Sequence, residues 1–187
     1  MKNQVVLMVI ALFAFTFTNA QDVKFGAKAG LNLASVTGDD ADGFDGKASI
    51  HFGGVVNIGV SDIFAIQPEV LYSRQGFEDG AADVKAFLDY LNIPIMADVT
   101  VADGFSLQGG PQIGINLNAI VKDNQTDNEV DIDTIESLDI AGAIGAQYKL
   151  PVGVFFQARY TVGVTDIIED FSGKNSVVSL SVGYFFN

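Results

Sequence analysis

The 187-residue chain has no cysteine, a single histidine, and only 10 Lys or Arg against 23 Asp or Glu. Without cysteine there is neither a disulfide framework nor a thiolate metal site. A net charge of −13 with no basic patch excludes nucleic acid as a partner. The lone histidine, His51, sits in a glycine-rich stretch, and the nucleophile motif G-x-S-x-G is missing. No catalytic residue is assigned on that basis, and no cofactor is expected. Beyond the first twenty residues there is no further long apolar run, so any membrane crossing must use strands.

Those first twenty residues, "MKNQVVLMVIALFAFTFTNA", read as a secretory signal peptide. Lys2 supplies the positive start, Val5 to Phe17 the apolar stretch, and Thr18-Asn19-Ala20 a small-residue cleavage site. The apolar stretch is shorter than the roughly 18 residues of a spanning helix. The expected layout is a signal peptide over 1–20 and one domain over 21–187, exported from the cytoplasm.

What the chain has in quantity is apolar residues, 49%, and glycine, 20 residues scattered along the whole length. They are arranged with period two, the pattern of a strand. In "VKFGAKAGLNL" Val23, Phe25, Ala27, Ala29, Leu31 and Leu33 share one face, and Lys24, Gly26, Lys28, Gly30 and Asn32 the other. The same alternation runs through "SIHFGGVVNIGV", "FAIQPEVLY", "YLNIPIMADV", "FSLQGGPQIGINLNAIV", "LDIAGAIGAQYK" and "VFFQARYTVGV". It ends in "VVSLSVGYFF", where Phe185 is the one bulky residue out of phase. Short connections at 61–62, 102–104 and 150–152 alternate with longer polar ones at about 35–48, 74–86, 122–136 and 165–175. This predicts an all-β protein: an eight-stranded antiparallel up-and-down barrel with short turns at one end and long acidic loops at the other.

Alternation alone does not say which face meets water. Here the minor face is mostly Gly, Ser, Asn, Gln and Ala, poor covering for a solvated surface but suited to a narrow hydrogen-bonded lumen. The apolar face is nearly free of charge, and one Lys or Arg at a bilayer midplane costs about 2–4 kcal/mol. The expectation is therefore a transmembrane barrel of the outer membrane, with Tyr184 and Phe186 in an aromatic girdle near the short turns. The alternative is a soluble calycin-like periplasmic barrel whose apolar face lines a ligand cavity. Two local features stand apart. Pro68, Pro94 and Pro111 lie inside expected strands, where proline removes a ladder hydrogen bond. Val84, Phe87, Leu88 and Leu91 fit a helical template, so a short helix is expected near residues 81–91.

By strand parity Lys24, Lys28, His51, Glu69, Asp98, Asp139, Lys149 and Arg159 project into the lumen. Opposite charges must pair there, and Glu69 with Arg159 is the expected pair. Eight strands leave an interior that side chains fill, which disfavours an open pore; a narrow channel or transporter for small solutes is the alternative function. Two loop stretches, Asp39, Asp40, Asp42 and Asp45, and Asp127, Glu129, Asp131 and Asp133, offer oxygen ligands of the kind Ca²⁺ or Mg²⁺ takes. Neither matches the D-x-[DN]-x-[DN]-G-x₅-E loop, so no metal is assigned. The plainer reading is an anionic rim facing outer-membrane lipids and lipopolysaccharide.

Several blocks, "AIQPEVLYSRQG" (65–76), "YLNIPIMADV" (90–99), "SLQGGPQIGI" (106–115), "ARYTVGVTDI" (158–167) and "VGYFF" (182–186), resemble the PorT-type outer-membrane β-barrel family, small barrels common in Bacteroidota. The resemblance covers the chain after the signal peptide, in order. It implies that the three prolines are family features; the family includes many barrels of unassigned role, and one role found in it is in the type IX secretion pathway. Asn187 departs from the pattern by following the aromatic that closes an outer-membrane strand. The expected protein is a monomeric, non-enzymatic barrel acting through adhesion or contact with a secretion apparatus.

Overall fold

The computed structural model describes residues 22–38, 44–79, 84–123, 129–131, 135–167 and 173–186. The expected signal peptide (1–20), Asp39, Asp40, Asp42, Asp127 and Asp133, and the side chains of Glu129 and Asp131, lie outside the described residues. The strands are β1 (Val23–Thr37), β2 (Phe44–Gly59), β3 (Phe64–Gln75), β4 (Phe77–Asp79), β5 (Val84–Ala102), β6 (Phe105–Asp123), β7 (Glu129–Asp131), β8 (Leu138–Lys149), β9 (Val154–Gly163) and β10 (Lys174–Phe186). The short β4 prolongs β3 past Gly76, whose φ of 133° lies in the region that favours glycine. The short β7 pairs with the outer end of β6. The remaining strands make eight antiparallel staves, each paired to its neighbour. The last stave closes on the first in a continuous register from Phe25↔Phe186 to Thr37↔Lys174. Closure leaves no stave with a free edge, as a bilayer requires.

The two faces are opposite to those of a soluble protein. Leu31, Ile144 and Leu180 are 61–66% exposed on the outside, whereas Gln67, Glu69 and Asp98 are buried in the interior. This overturns the calycin-like alternative: its apolar lining would have to point inward, and here the polar phase does. Among the described residues no helix is long and apolar enough to cross a membrane. Tyr184 and Phe186 stand outside with ring centroids 5.8 Å apart, at the end of the barrel that carries the short turns.

Two sequence expectations are corrected. No helix forms over Val84–Leu91; these residues belong to β5, laddered to β3 and β4 on one side and to β6 on the other. A helix there would strip backbone partners from both neighbours. Of the four residues read as one helical stripe, only Leu88 is buried in the interior, while Val84, Phe87 and Leu91 are half-buried. The long connections are also shorter than expected, because the strands run on beyond the apolar band. Asp45, Glu78, Asp79 and Asp123 therefore lie on strands, where pairs such as Glu78↔Lys85 hold them.

The three prolines sit on adjacent staves, opposite Ile95, Gln112 and Gly142 respectively. Ladder pairs between β3 and β5 break after Pro68↔Ile95 and resume at Leu71↔Asn92 in unchanged register. Those between β5 and β6 break after Pro94↔Gln112 and resume at Ala97↔Gly109. The missing N–H groups are thus gathered into one patch of the wall instead of weakening three separate places.

At the short-turn end the wall must be thin. The Phe155 ring lies against Gly183, where a Cβ would also sit 2.7 Å from the Ala27 carbonyl oxygen. A Gly183→Val barrel should fail to close. In unboiled electrophoresis the parent chain should run as a compact band that boiling shifts, and the variant should show the unfolded band in both lanes.

Candidate functional site: a sealed polar lumen

The inward phase of each stave delivers one polar side chain per level, and neighbouring staves bring them together. At the centre, Glu69 on β3 receives both terminal nitrogens of Arg159 from β9 at 2.8 Å each. Lys28 from β1 approaches the same carboxylate at 2.7 Å. All three are almost fully buried. Two cations on one carboxylate leave a net positive level, which glutamine dipoles help to neutralise. Gln157 accepts from Lys28 at 2.6 Å, and Gln108 accepts from Arg159 at 3.1 Å.

Toward the short turns, Asp98 is held by Gln108 at 2.8 Å, Gln147 at 3.2 Å and Lys149 at 3.4 Å. Gln67 links this level to the centre by donating to Glu69 at 2.9 Å. Toward the loops, Asp139 accepts from Asn175 at 3.3 Å and from Thr165 at 3.2 Å. His51 lies between, its ring nitrogens 2.8 Å from Asn32 and from Ser181. Of the eight residues assigned to the lumen by parity, seven are thus in the network. Lys24 is not: its amine pairs with Asp22 at the rim and its side chain is 45% exposed. It stands too near the end of β1 for the wall to enclose it.

The sequence reading missed what ends this shaft. At the short-turn end Val55, Phe155 and Phe185 turn inward as an apolar plug, the two rings 4.6 Å apart. At the loop end Val36, Leu88, Tyr90, Ala119 and Ile167 form a second plug, with Phe77 and Ile135 packed on it. The signal for the first was available: in "VFF" and "YFF" the middle aromatic breaks the alternation. The second depends on Ile167, which arrives from a loop and carries no period. The glutamine levels were legible as polar phase, but not which partners they would take. Of the acidic loop residues assigned as cation ligands, only Asp45 has a described side chain, and no metal-ligand cluster occurs among the described residues.

Removing a buried partner costs far more than removing an exposed one. Glu69→Ala strands Lys28 and Arg159 and should lower stability by about 3–5 kcal/mol in urea unfolding from lipid vesicles. Lys85→Ala, which breaks only the exposed pair with Glu78 (3.3 Å), should cost under about 1 kcal/mol in the same experiment.

Comparison with solved structures places this architecture. The chain is similar to Neisserial surface protein A, with a TM-score of 0.64 and 14% identity over 87% of this chain and 97% of that one. It is also similar to Ail, the attachment invasion locus protein of Yersinia pestis, with a TM-score of 0.54 and 15% identity over 87% and 98%. At such identities the likeness is one of fold. No curated protein matches the chain in sequence. The model of the outer membrane protein beta-barrel domain family, however, matches residues 19–169, most of the chain. With a closed barrel, a lipid-facing apolar exterior and that match, the protein is a member of the outer membrane protein beta-barrel domain family and resides in the outer membrane.

Proposed function

We propose that the barrel is a non-conducting, non-enzymatic surface protein, its signal peptide (1–20) removed on export, that works through the loop end of its wall. The sealed lumen carries this reading. A permeant ion would have to displace the plug at Ile167, separate Glu69 from Arg159 and Lys28, and displace the Phe155–Phe185 plug. The loop end instead carries acidic side chains, with Asp45 and Glu78 on the outer strand ends.

Ail has been solved with the heparin analogue sucrose octasulfate, a polyanion. An acidic rim suits the opposite partner, a basic protein surface, either in adhesion or on a secretion apparatus. The PorT-type blocks support the secretion-apparatus version. Lipid and lipopolysaccharide contact would follow from position alone.

Purified barrel in planar bilayers should give no steady conductance. A sustained single-channel trace would overturn this reading in favour of a solute channel. An epitope inserted between residues 39 and 43 should bind antibody on intact cells, and antibody binding only after lysis would reverse the orientation.

A further inference from the structure

The side chains of the lumen do not satisfy one another completely. Among the described residues, four buried side-chain polar atoms have no hydrogen-bond partner: Gln75 Oε1, Asn92 Oδ1, Ser106 Oγ and Arg159 Nε. A polar atom shut away from bulk water is costly to leave bare, and in folded proteins most such atoms are bonded. Three of the four belong to residues that line one cavity, on the loop side of the Glu69 knot. Gln75, Asn92 and Arg159 are 2%, 4% and 5% exposed, so solvent outside the barrel does not serve them. They stand on β3, β5 and β9, and β9 lies across the barrel from the other two.

The neighbouring groups are already engaged. The terminal nitrogens of Arg159 are taken by Glu69 and Gln108, which leaves only Nε. Asn32 Nδ2 donates to Ser73 Oγ and to the Arg74 carbonyl, both at 3.0 Å. His51 has its ring nitrogens 2.8 Å from Asn32 and from Ser181. Its ring reaches β10 by crossing β1 over Gly30, where a Cβ would lie 2.6 Å from His51 Cε1. Turning over the amide of Gln75 or Asn92 would only place a donor where the bare acceptor stands.

Whatever completes this site must accept from Arg159 Nε and donate to the amide oxygens. Water does both, and a monatomic ion does not. The free volume of about 20 Å³ is the room a water needs and leaves none for a larger guest. Charge gives the same answer. Across the network Lys28, Lys149 and Arg159 balance Glu69, Asp98 and Asp139, so no counter-ion is called for.

We propose that the cavity is an ordered-water site, in which water enclosed as the barrel closes accepts from Arg159 Nε and donates to Asn92 Oδ1 and Gln75 Oε1. The water is a structural ligand. It ties β9 to the opposite wall and joins the charged knot to the amides on its loop side, at positions no side chain of the lumen reaches. A lumen plugged at both ends thereby satisfies its polar groups without opening to solvent.

The test is a crystal structure of the purified barrel grown in sodium bromide, with data that show ordered water. The expected result is an oxygen-sized peak within hydrogen-bond distance of Arg159 Nε and of the Asn92 amide, with no anomalous signal. An anomalous bromide peak there would overturn the assignment and make the cavity an anion site. An empty cavity, or Gln75 or Asn92 swung over to bond Arg159 Nε directly, would overturn it as well. Asn92→Leu, with its boiling-dependent gel shift retained, should lose the peak. A peak kept in full in that folded variant would contradict the hydrogen bonding that defines the site. None of these outcomes touches the proposed surface role, so the two readings fail separately.

Discussion

A bilayer core offers no water to an unpaired peptide group, and the contact between β10 and β1 is where this barrel meets that demand. From Phe25↔Phe186 to Thr37↔Lys174 the two ends of the chain complete a wall that has no free edge. Closure at eight staves in turn fixes how wide the interior is, and it is narrow enough for side chains to fill. The packing problem is therefore inverted. Apolar side chains such as Leu31 and Leu180 go outside into lipid, and the interior must satisfy polar groups without water in bulk.

The knot of Glu69, Arg159 and Lys28 is the hardest part of that interior. Buried ion pairs are not net stabilisers merely by being paired, since desolvation consumes most of the Coulomb gain. Their value here lies in register. Glu69 comes from β3, Arg159 from β9 and Lys28 from β1, so the carboxylate meets its partners only when distant staves have closed in the right phase. A slip of one residue would turn charges toward lipid and apolar residues inward. The glutamines at 67, 108, 147 and 157 carry the same discipline between levels, and the apolar plugs at each end keep the shaft shut.

Much of this was legible in the sequence, because a two-residue period reports which face a residue takes. The strand parity of Glu69 and Arg159 put both inside, and the structure brings them together. What failed had a common cause: parity describes one strand and says nothing of its neighbours. Val84 to Leu91 matched a helical template locally, and only the need to pair β3 with β6 through β5 makes it a strand. The out-of-phase Phe185 looked like noise until Phe155 and Val55 appeared beside it. Ile167 and the route of His51 across Gly30 depend on loop placement and on register between strands, neither of which a single sequence carries. Lys24 obeyed parity and still missed the network, since parity does not say where the wall ends.

The central claim is the orientation of the two faces, and the chain lacks cysteine, so any introduced one is a unique label. Spin labels on Leu180→Cys and Val182→Cys in lipid vesicles should be relaxed strongly by oxygen and little by a water-soluble nickel complex. A label on Ser179→Cys should be shielded from both. A nickel complex reaching position 180 while oxygen favours position 179 would turn the barrel inside out and contradict the account.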